Sequence, residues 1–305
     1  MQKILNKTLL STKMSKVISI LHDKGGVAKT TTSMNLGTAL WLMGKKVLMI
    51  DADKQCNLTM ILDRTAISEH PDGTLYEWMR KEQDTPPIYT RYEGLDFIPS
   101  CRQMAGLENE LVNKKARERI LSRLLDSIDV TGEKVRDEYD FIIIDCGPGC
   151  DTMVNTNALL ASDGIIVPMF PESLSLHGVP TIRQAVKEIN EELDGNVEII
   201  GYLLTRYNST KRLHKDIMHE CQNAEIMGGP LLPIKIRECV RCAESVANEM
   251  SLFEYESTST AADDYMRLAE YLCGVTKRNK KFTPESWGKK ANEAYEQLLA
   301  ERNDE

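Results

Sequence analysis

Continuous apolar runs alternate with helix-periodic segments along almost the whole of this chain, and no other feature of the sequence restricts the fold as much. Residues 17–21, 47–50, 95–99, 141–144, 164–168 and 197–204 carry few polar interruptions. A strand with one wet face alternates apolar with polar residues, so a strand that is apolar throughout is covered on both faces. Between these runs, Leu36, Ala39, Leu40 and Met43 recur at helical spacing. So do Ile120, Leu121, Leu124, Leu125 and Ile128, and then Ile182, Val186 and Ile189. Leu213, Ile217 and Cys221 mark a later stripe, and Tyr265, Leu268 and Leu272 another. Residues 74–81 read as one more short helix, followed by the turn-forming Thr85-Pro86-Pro87. The expected fold is α/β: a mostly parallel, twisted sheet with helices on both faces. In such sheets chemistry gathers at the carboxyl ends of the strands.

At 305 residues, 42% hydrophobic and 28% charged, the chain has room for one large domain with appendages. Residues 1–13 are weakly basic, lack the sustained apolar core of a signal peptide, and are expected to be a flexible extension. Residues 14–275 are expected to form the single domain. Residues 276–305 hold a basic hinge, Lys277-Arg278-Asn279-Lys280-Lys281, and a short polar helix from Thr283-Pro284-Glu285 to about Leu299. No run approaches the roughly 18 apolar residues needed to span a bilayer. With a net charge of −8, the chain can meet nucleic acid only through a local basic face. Its 8 cysteines lack the spacing of a small disulfide scaffold and are expected to be free thiols. Cys239-x-x-Cys242 has zinc-like spacing but no second pair at the right distance downstream, and Cys146 and Cys150 flank a glycine-proline loop.

The first apolar run ends in Lys24-Gly25-Gly26-Val27-Ala28-Lys29-Thr30-Thr31, which opens the first helical segment. Strand, glycine loop and helix together form the context of a phosphate-binding loop, and the phosphate-loop helix adds its dipole. Gly25 and Gly26 let backbone N–H groups turn toward phosphate oxygens. Lys29 can reach the β- and γ-phosphates, the Thr30 hydroxyl can bind Mg²⁺, and Thr31 is placed for an inner phosphate. The generic pattern Gly-x-x-x-x-Gly-Lys-Ser/Thr fails here at both glycines, where Asp23 and Ala28 stand, and Lys24 is an additional cation. Two other apolar runs end in aspartates, Asp51 and Asp145, and Asp53 follows on the loop after the first of these. Phosphoryl transfer needs mainly positioning and charge neutralisation, for which such carboxylates are suited.

These motifs resemble those of the ParA/MinD ATPases, whose deviant Walker A loop varies at the first glycine and carries the extra lysine. Asp51 to Asn57 is similar to the ParA-type Asp-x-Asp-Pro-Gln-Gly-Asn, with Lys54 for proline and Cys56 for glycine. Asp145-Cys146-Gly147-Pro148 is similar to Asp-x-Pro-Pro, with Gly147 for the first proline. The similarity runs from about residue 16 to 274. It implies ATP binding by Lys24, Gly25, Gly26, Val27, Ala28, Lys29, Thr30 and Thr31, with Arg206 and Asn208 as further nucleotide contacts. It implies Mg²⁺ bound directly by Thr30 and, through water, by Asp51 and Asp145. Lys24, Lys29 and Asp53 become the catalytic set: Lys24 would reach the partner's phosphates in a nucleotide-sandwich homodimer, and Asp53 would position the attacking water. Slow ATP hydrolysis, non-specific DNA binding by the ATP dimer and stimulation by a ParB-like centromere-binding adaptor follow from the resemblance. So does a cytoplasmic, nucleoid-associated place for a plasmid or chromosome partition cycle.

Two departures bear on this expectation. A Cβ at position 28 is accommodated only if Ala28 keeps φ below zero, and the otherwise intact loop predicts a working site. Lys54 adds charge near the phosphates. For DNA, Lys211, Arg212 and Lys215 on one helix and Lys235, Arg237 and Arg241 near a later loop are the candidate contacts. A membrane-bound relative would need an amphipathic C-terminal anchor, and the tail, with little apolar face and an acidic end, predicts no membrane partner. A nucleotide-gated ATPase with a protein assembly as cargo would share the same core.

Overall fold

The computed structural model describes residues 16–63, 72–81, 83–128, 132–172, 178–222, 227–276 and 283–303. The expected extension 1–13 and the basic segment 277–281 lie outside them. The described residues build a seven-stranded sheet in the order β3-β4-β2-β5-β1-β6-β7. The strands are β1 (Lys16–Ile20), β2 (Val47–Ala52), β3 (Tyr89–Tyr92), β4 (Leu95–Ile98), β5 (Phe141–Cys146), β6 (Gly164–Met169) and β7 (Glu198–Leu204). Every pairing is parallel except β3 with β4.

The apolar runs are continuous because successive side chains enter two different cores. Val17, Leu48, Ile50, Ile142, Ile144, Ile165 and Val167 point into one cluster. Ile18, Ile20, Val47, Met49, Ile143 and Ile166 point into the other. The helices Met153–Ala161 and Val179–Glu192 belong to the first layer, and Lys29–Leu42 and Thr260–Leu272 to the second. Within Lys29–Leu42, Gly37 packs so closely on the Met49 thioether that a Cβ would collide with its sulfur.

The periodicity locates the helices it names, with three differences. The helix Ile120–Leu125 ends short of Ile128, which is exposed and bridges to Lys134 instead of joining the buried face. In Arg212–Cys221 the buried face is His214, Ile217 and Cys221, whereas Leu213 is exposed. His214 wins the inward position because its Nδ1 accepts a hydrogen bond from Asn208 N at 3.0 Å, which anchors the turn before the helix. The tail helix runs from Pro284 to Asn303 and is less polar in effect than its composition suggests. Trp287 and Ala291 are buried, Trp287 lies edge-on to Phe253, and Lys290 Nζ sits over the Trp41 ring and donates to Trp41 O at 3.3 Å. The antiparallel edge strand β3 has no counterpart in the sequence reading. Its Arg91 is buried and paired with the buried Glu254, which also accepts from Tyr92. No helix among the described residues is long and apolar enough to cross a membrane.

Candidate functional site

Strands β2 to β5 lie on one side of β1 and β6 and β7 on the other, so the strand order switches direction there and a crevice opens at the carboxyl end of β1. The phosphate loop fills the floor of that crevice. Lys24 N donates to His22 Nδ1 at 3.0 Å, and Gly149 N donates to Asp23 O at 2.9 Å, tying the loop to the turn after β5. Gly25 and Gly26 are exposed, with Gly26 at φ 75°. Lys29 is buried, and its ammonium donates to Lys24 O at 2.9 Å and His22 O at 3.4 Å. Burial lowers its pKa, opposed by Asp145 and Asp53.

The condition set for Ala28, a φ below zero, is not met. The residue sits in the left-handed region, φ 69° and ψ 33°, as the N-cap of Lys29–Leu42, and its carbonyl accepts the Thr32 N–H at 2.9 Å. The loop must reverse direction just before the helix, and that requirement prevails over the methyl group's preference. Cys56, which also stands at a glycine position of the resembled pattern, does the same at φ 56° before Asn57–Leu62. Arg206, just beyond β7, is at φ 52°. Left-handed backbone costs an L-residue about 1–2 kcal/mol, and such strain concentrates at functional sites.

Asp51 and Asp145 are register partners on β2 and β5. Asp145 accepts from Thr30 Oγ1 at 2.7 Å and Ser33 Oγ at 2.8 Å. Asp51 accepts from Thr59 N, Thr59 Oγ1 and Asp53 N at 2.8, 2.7 and 3.0 Å. Burial pushes both carboxyls above the ordinary range, and for Asp145 the charge of Asp51 is the next cause. Asp53 accepts from Gln55 N at 3.0 Å. A Cβ on Gly147 would stand 3.3 Å from the Asp53 carboxylate, so glycine in place of proline leaves that carboxylate its room. Asn155 Nδ2 pins the loop, donating to Gly147 O at 3.0 Å and Gly149 O at 2.5 Å.

A cavity of about 840 Å³ extends from this floor. Gly25, Gly26, Ala28, Lys29, Thr30, Thr31 and Asp53 line one end; Phe170, Arg206, Arg237, Cys239, Val240 and Tyr265 line the walls. That volume suits a nucleotide-sized ligand. The Arg206 guanidinium stacks over Phe170 at 4.7 Å. Asn208 turns the following loop, accepting from Thr210 N and donating to Glu238. Ser33, Asn155 and Phe170 were not among the residues expected from sequence. Only Ser33 carried a signal, one helical turn beyond Thr30.

The residues expected to meet DNA are mostly engaged. Arg237 lines the cavity and grips the buried Asp264 through its backbone N–H, Nε and Nη2, at 2.8–2.9 Å for the shortest contacts. Lys211 pairs with Glu238, Arg212 with Asp216 and Arg241 with Glu244. Lys235 lies over the Tyr207 ring.

Comparison with known proteins bears on this geometry. A family described as an AAA domain matches residues 15–199. The sporulation initiation inhibitor protein Soj of Bacillus subtilis is 33% identical across 84% of this chain and 98% of its own. The chain belongs to the ParA/Soj family of partition ATPases. A second member, the chromosome partitioning protein ParA of Caulobacter vibrioides, is 30% identical over 83% of this chain and 92% of its own. Among solved structures, cobyrinic acid a,c-diamide synthase from Mycobacterium smegmatis, with bound ADP and magnesium, superposes at a TM-score of 0.71 with 27% identity. That match covers 85% of this chain and 94% of the synthase. The α/β fold of this chain is therefore that of the family.

Proposed function

We propose that this chain binds Mg–ATP at the phosphate loop, dimerises around it, and couples slow hydrolysis to partition of a plasmid or chromosome. The observation that carries the proposal is the convergence of Lys29, Thr30, Asp51, Asp53 and Asp145 on one end of a nucleotide-sized cavity. The donor set fits a magnesium ion. Thr30 offers one hydroxyl backed by Asp145, and among the described residues no cluster of three or more His, Cys, Asp or Glu forms an all-protein cage. Mg²⁺ is commonly held in that way, by few protein groups plus water and substrate phosphates. Bound there, it would neutralise phosphate charge. Two buried carboxyls held above their usual range are relieved by a nearby cation.

In this reading Gly25, Gly26 and the N–H groups up to Thr31 cradle the phosphates, and Lys29 balances their charge. Asp53, not buried in a bond network like that of Asp51, orients the attacking water. Lys24 crosses to the partner's phosphates in a homodimer. Arg206 and Asn208 hold the nucleotide's far end. Lys211, Arg212, Lys215, Lys235 and Arg241 meet DNA phosphates. Exposed ion pairs of the Lys211–Glu238 kind are worth only about 0–1 kcal/mol, so phosphates can compete for them. Arg237, forked on buried Asp264, is a wall residue first. A ParB-like adaptor stimulates hydrolysis, and the cycle runs in the cytoplasm on the nucleoid.

A second reading, with a protein assembly as cargo, draws on the same ion pairs, because four candidate cations already face carboxylates of this chain. Co-sedimentation with random DNA under ATP, ADP and no nucleotide separates the two, with Lys24→Ala as control. ATP-only retention lost in Lys24→Ala supports partition. No retention under any condition, with ATP bound, favours the protein cargo.

A further inference from the structure

The cavity wall carries two thiols that the nucleotide reading leaves without a task. Cys239 and Cys242 both line the cavity, and both are partly exposed. The other cysteines lie elsewhere: Cys56, Cys146, Cys150 and Cys221 are buried, and neither Cys101 nor Cys273 lines this cavity.

The backbone brings this pair together. Cys242 N donates to Cys239 O at 3.2 Å, closing a turn that runs into the first residues of Arg241–Ala247. Residues three apart on such a turn have Cβ atoms about 5–6 Å apart. A disulfide needs about 3.5–4.5 Å between Cβ atoms, so a modest tightening of one exposed turn joins the sulfurs. No third His, Cys, Asp or Glu joins them in a metal-sized group among the described residues. Burial, then the neighbouring Cys239, pushes the Cys242 thiol up to about 12, while Arg206 pulls the other way. Cys239 stands on the turn outside the helix and Cys242 within its first residues, and the order taken below is attack by Cys239 and resolution by Cys242.

We propose that Cys239 and Cys242 form a reversible disulfide in the wall of the nucleotide cavity, and that bound nucleotide shields the pair from oxidation. The oxidant is a low-molecular-weight disulfide. The Cys239 thiolate attacks one of its sulfurs, the S–S bond breaks, and one small thiolate leaves with a mixed disulfide on Cys239. The Cys242 thiolate then attacks the Cys239 sulfur and expels the second small thiolate. Two electrons pass from the protein dithiol to the small disulfide, and the two thiol protons end on the two released thiols. A small dithiol reverses the sequence. The shielding rests on the nucleotide reading above: a nucleotide anchored at Lys29 extends along the wall that holds both sulfurs.

The test uses the full chain, reduced and then exposed to oxidised glutathione, with peptide mass mapping of the bridge over time. The bridge is expected between Cys239 and Cys242. With Mg–ADP at about ten times its Kd, roughly a tenth of the molecules have an open cavity, and bridging slows about tenfold. Cys242→Ser should stop at a glutathione adduct on Cys239, and Cys239→Ser should form no bridge in this wall. A bridge between other cysteines, no bridge at all, or an unchanged rate with ADP bound overturns the proposal. Equilibrium dialysis of ADP against the reduced chain is run beside it. Absence of binding there refutes the nucleotide reading, while bridging of the ligand-free chain still decides the dithiol.

Discussion

Replacing Ala28 with glycine should make the nucleotide-free protein more stable. Ala28 holds φ 69° at the N-cap of Lys29–Leu42, with no side-chain hydrogen bond to compensate. Releasing an L-residue from the left-handed region gains about 1–2 kcal/mol. Glycine gives back about 0.4–1 kcal/mol through its freer unfolded chain. It recovers a few tenths as a better N-cap than alanine. The net expectation is about 1 kcal/mol in favour of Ala28→Gly. With a urea m-value of roughly 2–3 kcal/mol/M for a chain of this size, the midpoint should rise by about 0.3–0.5 M at unchanged m. Thermal unfolding should move up by about 2–4 °C. Ala28→Val serves as the opposite control, because a β-branched side chain fits positive φ worse than alanine, and its midpoint should fall. A glycine variant with an equal or lower midpoint and the same m would refute the strain assigned to this loop.

Four further outcomes follow from the same physics. Cys56→Gly relieves a second left-handed residue at φ 56°, but it empties a buried position, so its urea midpoint should move by less than that of Ala28→Gly. Arg91→Met leaves Glu254 charged and buried, and should cost about 3–5 kcal/mol by denaturant titration. Arg91 and the hydroxyl of Tyr92 help hold the Glu254 carboxyl below its ordinary pKa against the opposing effect of burial. This stabilisation is therefore present above the unfolded carboxylate range and lost as pH falls through the depressed folded value. An acid titration of the wild type should be steeper there than that of Glu254→Gln, and identical slopes would count against the pair. Trp287→Ala should cost about 3–5 kcal/mol or detach the tail helix, seen as loss of helical signal without loss of the sheet; no change would mean the tail does not seat as described.

Much of the architecture was legible because two-sided burial writes itself into a sequence as unbroken apolar runs. Six of the seven strands appear that way. Strand β3 does not, since it is four residues long and its buried members include Arg91, whose partner Glu254 is remote in sequence. Ion pairs between distant positions leave no local pattern. The floor of the site was legible for the opposite reason: the phosphate loop and its aspartates are tied to strand ends. The backbone state of Ala28 was not legible because residue preference is a weaker force than the turn the loop must make. Leu213 lost its inward place to His214 for a similar reason, a polar anchor outweighing apolar periodicity.

The docking of the tail helix carries a consequence for biosynthesis. It covers apolar surface around Trp41, Tyr92 and Phe253 and packs against β3, the edge of the sheet. Trp41 and Tyr92 leave the ribosome long before their cover does. At ordinary elongation rates of about 5–20 residues per second, the interval between Tyr92 and Pro284 lasts roughly 10–40 s. Throughout that interval the nascent sheet edge is open to pairing with other chains. The demand on chaperones should therefore fall on translation of the middle of the message and end with synthesis of the last helix.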